Sequence, residues 1–234
     1  MKTPFPRGPI WYQTDLQNSY GGKLQRIERQ IHHYGSGLNA LVALSAFRSN
    51  PNDTYLLRIG YGGMNGPLSN INSDGFAAAS FHSFPDTLAW DGYSGDYGPN
   101  FLGLTLGTGS YLVEDEDLGL IAYGGSVSSG TGGAVTVTPK DAARRRAFVG
   151  PLGILLEIDA GVIKEFSYTA GDRSVSVTLG QLDGTPTANA TNIWVSKESG
   201  QAGYTVTGTG VTAARLGWQV PLNSASFTVK VVPS

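Results

Sequence analysis

The segment HSFPDTLAWDGYSGDYGPNFLG, residues 82–103, gathers one His, three Asp, two Tyr and one Trp among glycines, in a chain with only 15% charged residues. Acid/base chemistry on a sugar needs such a set, because a carboxyl or imidazole moves the proton while aromatic rings stack on pyranose faces. Asp91 and Asp96 are the candidate catalytic carboxylates, with His82 as a general acid/base or a ligand for a sugar hydroxyl. Trp90, Tyr93 and Tyr97 are candidate stacking or hydrogen-bonding groups for substrate. Asp74, in INSDGF, is a further substrate-binding candidate, although a plain Asp-Gly turn is its simpler reading. Asp86, Asp91 and Asp96 recur every five residues, a spacing that matches neither one helix face nor one strand face. The segment therefore reads as a shaped loop. Its competing reading is a turn-rich connector, with Asp as cap or turn residue and the aromatics as core anchors.

The elements that must position this loop change character near residue 120. Before it, Leu24, Ile27 and Ile31 recur at helical spacing, and Leu38, Leu41, Val42 and Leu44 mark a second helix ended by Asn50-Pro51. A third helix is expected from Asn52 or Asp53 as N-cap through Leu56, Leu57, Ile59 and Tyr61, weakened by Gly62-Gly63. After it, GAVTVTP, RSVSVTLG, NIWVS, GYTVTGTG and SFTVKVV alternate apolar and polar residues between Gly, Pro, Asp and Asn. Short β-branched strands at close intervals predict an antiparallel sandwich. The expected organisation is a helical segment over 1–119 and a β-sandwich over 120–234.

Three stretches, RIERQIHHYGSGLNALVALSAF, YLLRIGYGGMNGPLSNINSDGFAAASFHSFPDTLAWDGYSGDYGPNFLGL and GPLGILLEIDAGVIKEFSY, carry a resemblance. They resemble the C-terminal part of a family of large, mostly secreted fungal and bacterial proteins defined as a domain of unknown function. The resemblance spans roughly residues 12–200. It implies an (α/α)6 toroid like those of several glycoside hydrolases and polysaccharide lyases, followed by a β-sandwich, an extracellular setting and a glycan as partner. It implies no proven catalytic residue. The fold class expected on this basis is α+β, a partial (α/α) toroid followed by an antiparallel β-sandwich. Residues 1–119 hold too few helix-length segments to close six helical hairpins, so a missing N-terminal helical region or a partner chain would have to complete the ring.

Composition narrows the chemistry further. A formal charge of −2 and a pI near 5.9 give no net pull toward phosphate backbones or anionic lipid, so neither nucleic acid nor membrane is an expected partner. The start, MKTPFPRGPIWYQTDLQ, lacks the apolar stretch of a secretory signal. The absence of Cys removes disulfides and thiol nucleophiles. No cofactor is expected: there is no His-Glu-x-x-His, no Gly-x-Ser-x-Gly elbow, and GMNGPLSN lacks the Lys of a phosphate loop. No metal is expected either. The acidic run Glu114 to Asp117 lacks the ladder of a calcium loop and reads as a solvated edge. Adjacent His32 and His33 point about 100° apart on a helix, so they read as favourable charges at a helix C-terminus, with Glu28 as a surface partner. Arg144, Arg145 and Arg146 read as surface partners for acids, since strand alternation would split a three-pronged clamp.

Three readings of function remain open. The chain is the C-terminal part of a glycoside hydrolase-like, glycan-processing protein, inactive or weakly active alone. Alternatively it is a carbohydrate-binding accessory module that uses the aromatic loop and Trp194, Tyr204 or Trp218 of the sandwich. In the third reading it is a structural sandwich with those aromatics in its core. Trp194 is the informative residue, because alternation in NIWVS puts it on the face opposite Ile193 and Val195.

Overall fold

The computed structural model describes residues 33–65, 107–141, 143–181, 187–198, 203–222 and 226–234. The chain forms two compact units, Met1–Ala46 with Tyr55–Gly107, and Phe47–Thr54 with Thr108–Ser234.

Two helices are described, α1 (His33–Ser49) and α2 (Thr54–Met64). In α1 the buried side chains Ala40, Ala43, Leu44 and Phe47 follow the i, i+3, i+4, i+7 stripe, while Val42 on another face is 73% exposed. Its end falls where the Asn50 N–H donates to the Phe47 carbonyl and Pro51 follows, a ring that cannot continue the ladder. The expected third helix is α2, which runs through Gly62-Gly63 to Met64. Gly60 is needed in α2 for contact rather than flexibility. A Cβ there would lie 2.8 Å from Leu44 Cγ, so only glycine lets the helix backbone approach that side chain. The helix expected around Leu24, Ile27 and Ile31, together with Glu28 and His32, lies outside the described residues, and His33 is part of α1.

The rest is β-structure. The strands are β1 (Ser110–Asp115), β2 (Gly119–Tyr123), β3 (Gly125–Ser129), β4 (Val135–Pro139), β5 (Arg146–Val149), β6 (Ile154–Ile158) and β7 (Val162–Thr169). They continue with β8 (Ser174–Gly180), β9 (Ala190–Ser196), β10 (Tyr204–Thr207), β11 (Thr212–Ala214), β12 (Gly217–Pro221) and β13 (Phe227–Pro233). A seven-stranded sheet has the order β11-β12-β9-β6-β5-β1-β2, and a six-stranded sheet the order β10-β13-β8-β7-β4-β3. The core lies between them: Leu112, Leu156 and Ile193 from the first sheet meet Val137, Phe166, Val177 and Val229 from the second, all essentially without solvent contact. Burial at roughly 25 cal/mol per Å² makes this cluster the main driving force of the sandwich.

This architecture overturns the expected α+β class with a partial (α/α) toroid. Among the described residues the fold is mostly strand, with α1 and α2 and two short 3-10 turns, and nothing in them forms a ring of helical hairpins. Helical spacing identifies single helices, not the number needed to close a ring. The sandwich is also not wholly antiparallel, since β1 runs parallel to β5 through Ser110↔Ala147, Tyr111↔Phe148 and Leu112↔Val149. Its first four residues are all buried. Leu112 points into the core, while Tyr111 on the other face sits 6.4 Å, ring to ring, from Phe47, which itself stands 5.4 Å from Phe148. A strand covered on both faces shows no alternation, which is why β1 gives no strand pattern in the sequence.

The charged runs have local roles. Glu114 to Asp117 span the β1–β2 hairpin, where Asp115 Oδ1 accepts the N–H of Asp117 and Leu118. Only Arg146 of the three consecutive arginines lies in a strand; Arg144 has φ 50°, and Arg145 Nε donates to the Gly161 carbonyl. Asp141 fixes this turn. Its Oδ1 accepts the N–H of Ala143 and of Arg144, and its Oδ2 lies 3.0 Å from the Ser110 hydroxyl of β1, so the entry into β5 is tied to β1. No described helix is long and apolar enough to cross a membrane.

Candidate functional site

The candidates of the aromatic loop, Asp74, His82, Trp90, Asp91, Tyr93, Asp96 and Tyr97, lie outside the described residues. The sandwich aromatics divide by face. Tyr204 is in the core, and Trp218 of β12, opposite Ile193, is partly buried and packs against it. Trp194 is on the other face, half-buried, as alternation with Ile193 requires.

The outer face around Trp194 is built by register. Arg146 of β5 opposes Glu157 of β6, and Glu157 opposes Trp194 of β9, so the three side chains stand side by side across adjacent strands. Gly217 of β12 comes next. A Cβ on it would lie 2.9 Å from Trp194 Cδ1, so the indole edge rests against bare backbone. Gly109 lies equally close to the Arg146 side chain at the opposite end, with 2.9 Å from an added Cβ to Arg146 Cβ. Glycine at both ends gives the large side chains room to lie along the sheet.

Arg146 Nε donates to Glu157 Oε1 at 2.7 Å, with the two side chains 24% and 34% exposed. This pair is partly desolvated, so it is a charge-assisted bond with fixed geometry rather than a loose surface contact. Two residues along the strands lies a second polar row. Asn192 faces Gln219 of β12, and Asp159, just past β6, accepts the Asn192 backbone N–H and side-chain amide and the Thr191 hydroxyl. Burial pushes the Asp159 carboxyl up, but the bonds from Asn192 and Thr191 outweigh it and hold the group below the usual carboxylate range. Asp159 is therefore an ionised acceptor at neutral pH.

An indole is thus bordered by a guanidinium–carboxylate pair on one side and by amides and a carboxylate along the strand. Such a surface can stack an apolar ring face and exchange hydrogen bonds with hydroxyls at its rim. The strand alternation in NIWVS gave the orientation of Trp194, but not its neighbours. Glu157, Arg146, Asp159 and Gln219 come together only through long-range register, and no local motif in the sequence marks them. Among the described residues no group of three or more His, Asp or Glu stands close enough to hold a metal ion.

Neither the curated proteins nor the solved structures contain a match to the chain. Over residues 16–230 the chain matches the family described as a family of unknown function (DUF5695), and it belongs to that family.

Proposed function

We propose that this chain contributes a glycan-binding β-sandwich to a glycan-processing protein, with the outer face around Trp194 as the sugar site. The observation that carries the reading is the side-by-side placement of Arg146, Glu157 and Trp194, with Asn192, Asp159 and Gln219 one row away. An indole face matches the C–H face of a pyranose, while the flanking carboxylates and amides accept from and donate to its equatorial hydroxyls. The Arg146–Glu157 and Asn192–Asp159 pairs are held by cross-strand bonds before any ligand arrives, which reduces the ordering cost of binding. The surface is a sheet face rather than an enclosed cleft, so affinity for a short oligosaccharide is expected in the range of about 0.1–1 mM.

Binding fits this face better than cleavage. Glycoside hydrolysis needs one carboxyl that carries a proton and a second across the bond. Here Glu157 is engaged by the Arg146 guanidinium, and Asp159 is held ionised by its donors and so is not set up as a proton donor. The hydrolytic alternative rests on Asp91, Asp96 and His82, outside the described residues. The test is calorimetric titration of the whole chain with a panel of soluble oligosaccharides. Trp194→Ala should weaken binding about tenfold or more, the loss expected for one stacked ring. Unchanged affinity in a Trp194→Ala protein with wild-type circular dichroism would remove the site from this face.

A further inference from the structure

Among the described residues the two sheets end in four edge strands, β11, β2, β10 and β3, and these edges are not alike. β11 is only three residues long. In β10 the apolar side chains Tyr204 and Val206 are already buried, and the Lys197 ammonium stands 5.5 Å over the Tyr204 ring. β2 follows directly on the acidic hairpin Glu114 to Asp117. Shortness, lysines and other charges are the devices by which sheet edges avoid pairing with another chain. β3 has none of them. Its residues, GSVSS, include no charge and no proline, and its register against β4 runs from Gly125↔Pro139 to Ser129↔Val135 without a bulge. The Gly124 carbonyl accepts the Lys140 N–H and the Gly130 N–H donates to the Ala134 carbonyl, so by antiparallel alternation the even-numbered residues are the ones that bond β4. The N–H and C=O groups of Gly125, Val127 and Ser129 therefore point away from β4, with no partner among the described residues. Val127 lies opposite Val137 on the core face, yet it is 39% exposed while Val137 is fully covered. This edge thus presents unpaired backbone together with an apolar side chain that the sandwich only half covers.

We propose that β3 pairs antiparallel with β3 of a second copy of this chain, about a two-fold axis at Val127. This register uses every outward group. Val127 faces its own counterpart and Gly125 faces Ser129 in both directions, each pair exchanging both N–H···O bonds, and the two Val127 side chains cover one another on the core face. The occupant is a second copy because the edge is complementary to itself. The strand carries no charge, so no like charges meet across the axis, and a formal charge of −2 on each chain adds little repulsion. The same pairing at β2 would instead bring the four carboxylates of Glu114 to Asp117 from each copy to one joint. A two-fold contact also closes on itself, so it gives a dimer rather than a filament. A strand of five residues buries well below the roughly 1,200 Å² of a stable interface, so the dimer is weak, with Kd on the order of 0.1 mM. Nothing in this inference depends on the sugar reading of Trp194.

The test is sedimentation of the whole chain at concentrations from about 10 μM to about 1 mM, a range that brackets the expected Kd. The weight-average mass of wild type should rise from 24.6 kDa toward twice that value. Val127→Lys and Val127→Glu each put like charges at the axis, so each alone should raise Kd about tenfold or more. An equimolar mixture of the two should associate again, because opposite charges then meet. Ser129→Pro removes an outward N–H and no bond to β4, so it should weaken association about tenfold, whereas Ser129→Ala keeps the backbone donor and should associate like wild type. Circular dichroism and thermal unfolding of the dilute variants establish that each is folded. Wild type that remains at the mass of one chain at the highest concentration overturns the inference, as does association unaltered in folded Val127→Lys and Ser129→Pro. A mixture of the two Val127 variants that stays monomeric overturns the two-fold at Val127, and masses that climb past two chains overturn the closed dimer.

Discussion

Asp159 holds Asn192 with both carboxylate oxygens, Oδ1 accepting the backbone N–H at 2.8 Å and Oδ2 the side-chain amide at 2.7 Å. The Thr191 hydroxyl adds a third bond to Oδ1 at 2.9 Å, and its oxygen in turn accepts the Ala160 N–H. The corner between β6 and β9 is thereby closed by one charged group. Because these bonds depress the folded-state pKa, the stabilisation is present above the unfolded value of about 3.9 and is lost as pH falls through the folded value. Asp159→Ala is expected to cost on the order of 1 kcal/mol at pH 7, and less and less below about pH 4. Urea unfolding at pH 7 and at pH 3 measures this. Parallel pH profiles for the two proteins would mean that Asp159 contributes no ionised-state stability.

The position of β1 sets what can fold. It lies between β5 and β2 in the seven-stranded sheet, on the N-terminal side of the composition change near residue 120. A fragment of residues 118–234 loses Leu112 from the core and removes Tyr111 and Phe47 from the ring of Phe148. It also turns β5 into an edge and leaves β2 unpaired. Loss of Leu112 alone is worth about 2–5 kcal/mol, against a total of about 5–15 kcal/mol for a domain. The fragment should therefore aggregate, or melt without a cooperative transition by circular dichroism. A sharp transition near that of the full chain would show that β1 is dispensable.

How much of this was legible in the sequence depended on burial. GAVTVTP, RSVSVTLG, NIWVS, GYTVTGTG and SFTVKVV mark β4, β8, β9, β10 and β13, since each has one core face and one outer face. In β1, covered on both faces, the periodic signal disappears. Leu38, Leu41, Val42 and Leu44 locate α1, yet its buried stripe is carried by Ala40, Ala43 and Phe47 together with Leu44, and Val42 is exposed. Apolar type finds a helix more readily than it finds the face that a neighbour will cover. Trp194 could be assigned to a face by counting, whereas Glu157 and Gln219 reach it through pairings that only the folded sheet defines. The parallel β1–β5 pair is of the same kind, set by a connection that crosses through the other sheet.

Gly217 ties the stability of β12 to the proposed sugar site. A Cβ at this position would run into the Ile193 carbonyl oxygen and stand 2.9 Å from Trp194 Cδ1. The carbonyl is part of the β9 backbone and cannot rotate away, so the strand itself must move; the indole can tilt. Gly217→Ala should cost about 1–3 kcal/mol, the usual range for overpacking, and should lift the indole from the sheet. Combining it with Trp194→Ala removes the second clash but not the first, so the double variant should recover only part of the loss. Thermal unfolding of the two single variants and the double variant measures the coupling, and oligosaccharide calorimetry on Gly217→Ala reads the effect on binding. An unchanged melting temperature in Gly217→Ala would show that β12 has room at this position. Weakened stability with undiminished oligosaccharide affinity would show that the orientation of Trp194 against Gly217 is not what presents the ring to a sugar.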